Sequence, residues 1–224
     1  MTRISELLKR LVEGGIEVTN EIKKVMIETE IELFSDYDCD PFYSDRPIPF
    51  TETELGEVKT ISAPHMIITL LHNMELLEEQ EVIIIGSKGG YLAALVAQLI
   101  GEKGIVRVLD TCSNVISHSK QRLTHWPTIE FRELESIEVS PVAFPGEFDR
   151  VLITGHIEEL PNWITSRISD TGFVIAPLGP DNNQHLMKIE KQGDELFPTN
   201  LGPVCFGPLE NKKQNGQYIS PLEL

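Results

Sequence analysis

The chain has 224 residues, 41% hydrophobic and 24% charged, enough for one sizeable α/β core and too balanced for a disordered polymer. Its formal net charge of −16 repels phosphate backbones, which disfavours RNA or DNA as a partner. No run approaches the roughly 20 apolar residues of a membrane span, and Cys39, Cys112 and Cys205 are too few and too scattered for a disulfide framework or a zinc site.

The opening MTRISELLKRLVEGG is neither a secretory nor a transit peptide, so the chain is expected in the cytoplasm, with no membrane, nucleic-acid or metal partner. Ile4, Leu7, Leu8, Leu11 and Val12 fall at helical spacing, and Gly14-Gly15 marks a stop. Thr19 is placed to cap a second helix, with Glu21 in its first turn and Ile22, Val25 and Met26 on one face. The stretch SDYDCDPFYSDRPIPF is dense in Asp and Pro and reads as an extended loop without regular structure. After Ser62-Ala63-Pro64 the helical period returns with Met66, Ile67, Leu70, Leu71 and Met74, and proline costs nothing in a first turn.

From residue 81 strand and helix alternate. The run 82–85 ends at Gly86 and is apolar throughout, as a strand buried on both faces should be. A small-residue helix over 91–100 leads to a strand over 105–109 that ends at Asp110. Then come a weaker helix over 114–124, a strand over 128–132 and an irregular loop containing proline. A strand over 149–154, a helix over 161–168 and a strand over 172–178 complete the repeats. Two further strands, near 185–190 and 202–206, are expected to be antiparallel. Repeated β-α-β units of this length imply an α/β fold, with a doubly wound, mostly parallel sheet of about seven strands. The chain is expected to form one domain, with a helical and loop segment over 1–62 and a Rossmann-like core over 63–224.

Three constellations could carry chemistry. In VIIIGSKGGYLAAL, a strand runs through glycines into a helix, where backbone and free N–H groups can approach a ligand. Asp110 ends the next strand and is placed to accept from both hydroxyls of a ribose. Together they indicate a nucleoside cofactor, although a packing turn and a solvated acid would look the same, and the G-x-G-x-x-G spacing of a dinucleotide site is absent. In TISAPHM, Ser62 stands before a helix, where its hydroxyl would ordinarily cap the N–H of His65. Thr154-Gly155-His156 ends the fourth strand, where His156 is either a base or an ordinary loop residue. Glu133, Glu135 and Glu138 read as a solvated loop.

The order of these motifs resembles the protein-L-isoaspartate O-methyltransferase family over nearly the whole chain. EIELF, DPFYSDRPIPF and GEVKTISAPHM are similar to its N-terminal part, and VIIIGSKGGYLAAL stands where that family has its cofactor loop. GEFDRVLITGHIEELPNWITSRISDTGFVIAPLG and LGPVCFGPL are similar to its later strands. The resemblance implies an enzyme that uses S-adenosyl-L-methionine to methylate isoaspartyl carboxylates of damaged proteins, as a repair step; separately, the chain is expected to act as a monomer. It implies Ser62 at the substrate carboxylate and Asp110 at the ribose, with Gly86, Ser87 and Gly90 along the methionine part of the cofactor. Thr60, Ile61 and Leu134 would complete the cofactor's surroundings.

The chain departs from the family pattern at three places. Ile84 stands where the family has an acid, Lys88 replaces the middle glycine, and Glu133-Leu134-Glu135 replaces a Gly-Asp-Gly. The tail ENKKQNGQYISPLEL is not matched to the family pattern by its residues. These departures leave two alternatives: an interaction module that kept the fold, and a methyltransferase for another carboxylate or a small molecule.

Overall fold

The computed structural model describes residues 2–53, 56–141 and 146–209, so the tail from residue 210 lies outside the described residues. These residues group into two compact units that alternate along the chain.

The first unit holds the described residues of 1–80, 87–106 and 114–130. Helix α1 (Arg3–Glu13) buries Leu7, Leu8 and Leu11 of its expected face but leaves Val12 exposed, and α2 (Asn20–Glu28) buries Ile22, Val25 and Met26 as their spacing predicts. Both begin on a threonine whose hydroxyl accepts an amide three residues on, Thr2 from Ser5 at 3.3 Å and Thr19 from Ile22 at 3.2 Å. Helix α3 (Pro64–Asn73) starts on its proline. Helix α4 (Tyr91–Ile100) packs against α2, and seven further positions between Leu92 and Ile100 are buried with Tyr91 at its head. A helix covered on all sides explains its alanine content, since small side chains permit close approach.

The Asp- and Pro-rich stretch is less irregular than its composition suggests. Phe42–Ser44 forms a single 3₁₀ turn, and strand β1 (Ile48–Glu52) begins within the stretch and pairs antiparallel with β2 (Val58–Ile61). Pro47 and Pro49 alternate with Ile48 and Phe50, so the apolar residues share one buried face while proline occupies the other. A two-stranded sheet leaves each strand a free edge, where a missing N–H does no harm. Phe34 and Phe42 meet Tyr91 edge-on, with ring centroids 5.3 and 5.7 Å away, and anchor this stretch on the head of α4.

The second unit holds residues 81–86 and 107–113 with the described residues of 131–224, and most of a seven-stranded sheet. Its strands are β3 (Glu81–Ile85), β4 (Ile105–Asp110), β5 (Ile129–Glu133), β6 (Phe148–Ile153), β7 (Ile168–Leu178), β8 (Gln184–Gln192) and β9 (Glu195–Val204). The order is β5-β4-β3-β6-β7-β8-β9. β6 runs parallel to both β3 and β7, and β8 and β9 are antiparallel additions at the edge. Chain order therefore reverses beside β3, which makes its carboxyl end a switch point where such sheets bind ligands. Helix α5 (Ser113–Arg122) follows β4, and the short α6 (Asn162–Thr165) precedes β7. Ile83, Ile85, Leu109, Val151, Ile153, Ile164 and Val174 belong to one buried cluster.

Two boundaries differ from the sequence expectation. The helix expected to reach residue 168 stops at Thr165, and Ile168 already opens β7, which is eleven residues long. β9 runs from Glu195 rather than from 202, because it is an edge strand whose residues 195–200 are exposed and give no apolar pattern.

Candidate active site

The strand ends of the second unit bring three of the expected site residues together. The Gly86 N–H donates to the carbonyl of Leu109 at 2.7 Å, and the Leu134 N–H donates to the carbonyl of Asp110 at 2.8 Å. Gly86, Asp110 and Leu134 thus stand at the carboxyl ends of three neighbouring strands. Asp110 is 9% exposed, and its Oδ1 accepts the Cys112 N–H at 3.0 Å. Leu134 is buried in the core cluster, so its side chain forms wall rather than polar contact. Glu133 and Glu135 are exposed on either side, but Glu133 is the last residue of β5 rather than a loop residue, and it accepts from the Ser113 hydroxyl at 2.7 Å.

Gly86 has φ +95°, and a Cβ there would lie 2.2 Å from Thr154 Oγ1. The Thr154 hydroxyl lies 3.1 Å from the carbonyl of Ile85 and 2.8 Å from that of Gly86. The glycine therefore admits the end of β6, independently of any ligand. His156 in the same triplet is buried, with Nδ1 2.8 Å from Asp181 and Nε2 against the carbonyl of Gly179. Both ring nitrogens are held by the chain's own groups, which supports the ordinary reading over a base.

In the first unit the loop residues face inward. The Ser87 hydroxyl is buried 2.7 Å from Ser119 Oγ on α5, so any cofactor contact falls to its main chain. Gly90 has φ +88°, and a Cβ there would lie 2.8 Å from Leu123 Cδ1. Gly89 sits over Phe50 and Ile61, and Ile61 is 1% exposed as part of that packing. Thr60 is half-buried on β2 opposite Pro49. His118 on α5 places Nε2 3.0 Å from the carbonyl of Phe34, and burial holds its pKa below the usual histidine range.

Lys88 has φ +46°, a left-handed conformation that non-glycine residues rarely adopt. The backbone shape of a glycine is thus retained without the glycine. Lys88→Gly should stabilise the fold by up to about 1 kcal/mol in urea unfolding, because strain of ~1–2 kcal/mol is relieved against the added freedom of the unfolded chain. If the lysine side chain also obstructs the loop, S-adenosylhomocysteine should bind the variant more tightly in calorimetric titration.

Ser62 does not cap α3. The cap is Ala63, with no side-chain bond, and the His65 N–H is taken instead by Asp45 Oδ1 at 2.9 Å. The carboxylate also holds His65 Nδ1, with its oxygens 3.0 and 2.9 Å away. The half-buried Ser62 hydroxyl makes no hydrogen bond among the described residues. Asp45 was invisible to local sequence reading because its partner lies twenty residues downstream.

A sheet with this switch point, two antiparallel edge strands and a buried acid at the end of β4 defines an α/β methyltransferase fold. A buried carboxylate at that strand end is the acceptor chemistry a ribose diol requires, so the residues fit an S-adenosyl cofactor. Residues 2–214 match the model of the protein-L-isoaspartate(D-aspartate) O-methyltransferase family, and the chain belongs to that family.

The protein-L-isoaspartate O-methyltransferase of Fervidobacterium nodosum is 24% identical over 196 residues, which cover 87% of this chain and 92% of that one. That of Pyrobaculum islandicum is 28% identical over 210 residues, covering 92% and 98%. A solved β-aspartate methyltransferase structure of the same kind from Plasmodium falciparum, in complex with S-adenosyl-L-homocysteine, superposes with a TM-score of 0.79 at 21% identity. The superposition covers 94% of this chain and all of that one. The family's reaction is S-adenosylmethionine-dependent methylation of L-isoaspartyl residues, and this chain is an enzyme of that reaction.

Proposed function

We propose that Ser62 positions the isoaspartyl carboxylate and that Asp110 holds the ribose of the cofactor, within a protein-repair reaction in the cytoplasm. The observation that carries this reading is the Ser62 hydroxyl, which stands at the mouth of α3 without a hydrogen-bond partner among the described residues. Gly86 and Ser87 would offer main chain to the methionine part, with Gly90 giving the loop its turn, and Thr60, Ile61 and Leu134 are assigned as further cofactor contacts. Damaged proteins bearing isoaspartyl residues are the partners this assigns, and the chain is assigned to act as a monomer.

The chemistry needs no general base, because a carboxylate is already ionised at neutral pH. When bound, the cofactor supplies an electrophilic methyl, so a C–O bond forms as the C–S bond breaks and its electron pair returns to sulfur. Negative charge on the carboxylate falls during that step, so a hydrogen bond to it stabilises the ground state more than the transition state. Ser62 therefore contributes by alignment: its O–H would donate to one oxygen and leave the other aimed at the methyl group.

Ser62→Ala should lower kcat on an isoaspartyl peptide by about 10- to 100-fold, the usual cost of lost alignment. The dissociation constant for S-adenosylhomocysteine should stay unchanged. Full turnover in the variant would remove Ser62 from the active site.

A further inference from the structure

We infer that Asp45 is a positioning residue for Ser62: by capping α3 it keeps the serine hydroxyl off the helix and available to substrate. The inference rests on Ser62 being the substrate-contacting hydroxyl. Every helix N-terminus presents amides without partners. In α1 and α2 they are served from three residues upstream, by Thr2 and Thr19. Ser62 and His65 have that same separation, so the local solution for α3 would be a closed serine cap. A hydroxyl committed to an amide in this way is drawn towards the helix and fixed away from a ligand.

Asp45 prevents this from a distance. Its carboxylate takes the His65 N–H at 2.9 Å and grips Nδ1 of the same residue, which gives His65 two links to one group. A carboxylate is a stronger acceptor than a hydroxyl, and a negative charge at a helix N-terminus is further favoured by the helix dipole, so Asp45 wins the competition. Its own placement is secured. Asp45 has φ 58° and ψ 45° at the end of the Phe42–Ser44 turn, and its N–H donates to the carbonyl of Phe42 at 3.0 Å. Phe42 is completely buried, and the Arg46 N–H closes the turn on Pro41 at 3.1 Å. The α3 terminus also begins one residue later than a serine cap would make it, which leaves Ser62 outside the helix.

The test is a double-mutant cycle of Asp45→Ala and Ser62→Ala, read by thermal melting and by turnover on an isoaspartyl peptide. In the otherwise unchanged protein, Ser62→Ala should leave Tm within about 1 °C, since the hydroxyl makes no hydrogen bond among the described residues. In the Asp45→Ala background the serine takes over the cap, and removing it should cost a further 2–4 °C or so. Asp45→Ala should lower kcat about as far as Ser62→Ala does, and the double variant should be no slower than either by more than about twofold. Asp45→Asn, which keeps an acceptor for the amide, should retain kcat within about threefold.

Equal Tm effects of Ser62→Ala in both backgrounds would overturn the inference, as would kcat losses that multiply. Tm coupling combined with full turnover in Ser62→Ala would instead place the failure in the active-site reading of Ser62, and Asp45 would then be a helix cap with no positioning role.

Discussion

Asp110→Ala should weaken the binding of S-adenosylhomocysteine by about 1–3 kcal/mol, roughly 5- to 150-fold in dissociation constant. The carboxylate stands at the end of β4, nearly enclosed, beside the Gly86 turn and the start of the loop after β5. Ribose hydroxyls that lose a charged acceptor in such a place are left with water or nothing. The same carboxylate accepts the Cys112 N–H, so alanine also removes a turn contact that leads into α5. That second effect has a separate readout, a fall in Tm without ligand. Asp110→Asn separates the two, because an amide oxygen can still serve Cys112 and one hydroxyl while the charge is gone. The expected order of affinity is Asp, then Asn, then Ala, with Asn close to the parent in Tm. An unaltered dissociation constant in both variants would remove Asp110 from the cofactor site. Binding by the parent near the micromolar range, about −8 kcal/mol, would show that Lys88 is tolerated in the loop. No binding at millimolar ligand would show that Lys88 obstructs the loop.

Much of this architecture was legible because the sheet is buried on both sides. β3 is a continuous apolar run, and α4 ends at glycine where its pattern ends. The elements that escaped obey rules that local composition hides. β1 alternates buried Ile48 and Phe50 with Pro49 and follows Pro47, and these prolines read as breakers. β9 is exposed over most of its length, and its ladder with β8 decides its state. The site shows the same division. Asp110 follows from the strand–helix rhythm alone, whereas the role of Asp45 depends on a contact across twenty residues. Ser87 is expected at the cofactor from its place in the loop, but the direction of its hydroxyl is set by Ser119 on another element.

Gly86→Ala should destabilise the fold by about 3 kcal/mol or more, through two causes that can be separated. The backbone at φ +95° is strained for any residue with a Cβ, and the added carbon would lie 2.2 Å from Thr154 Oγ1. Thr154 cannot turn away freely, because its hydroxyl is bonded to the main chain of Ile85 and Gly86. Thr154→Ala removes the obstacle and leaves the strain. The double variant should therefore be more stable than the sum of the single effects by about 1–2 kcal/mol, measured by urea unfolding without cofactor. Additive losses would show that backbone strain alone requires glycine here. Either result bears on function. Gly86 is fixed by the approach of β6 before any ligand arrives, so weaker cofactor binding in Gly86→Ala counts as a lost contact only when scaled to the folded fraction. On that scale Asp110, whose loss should leave the sheet standing, is the sharper probe of whether the cofactor site works.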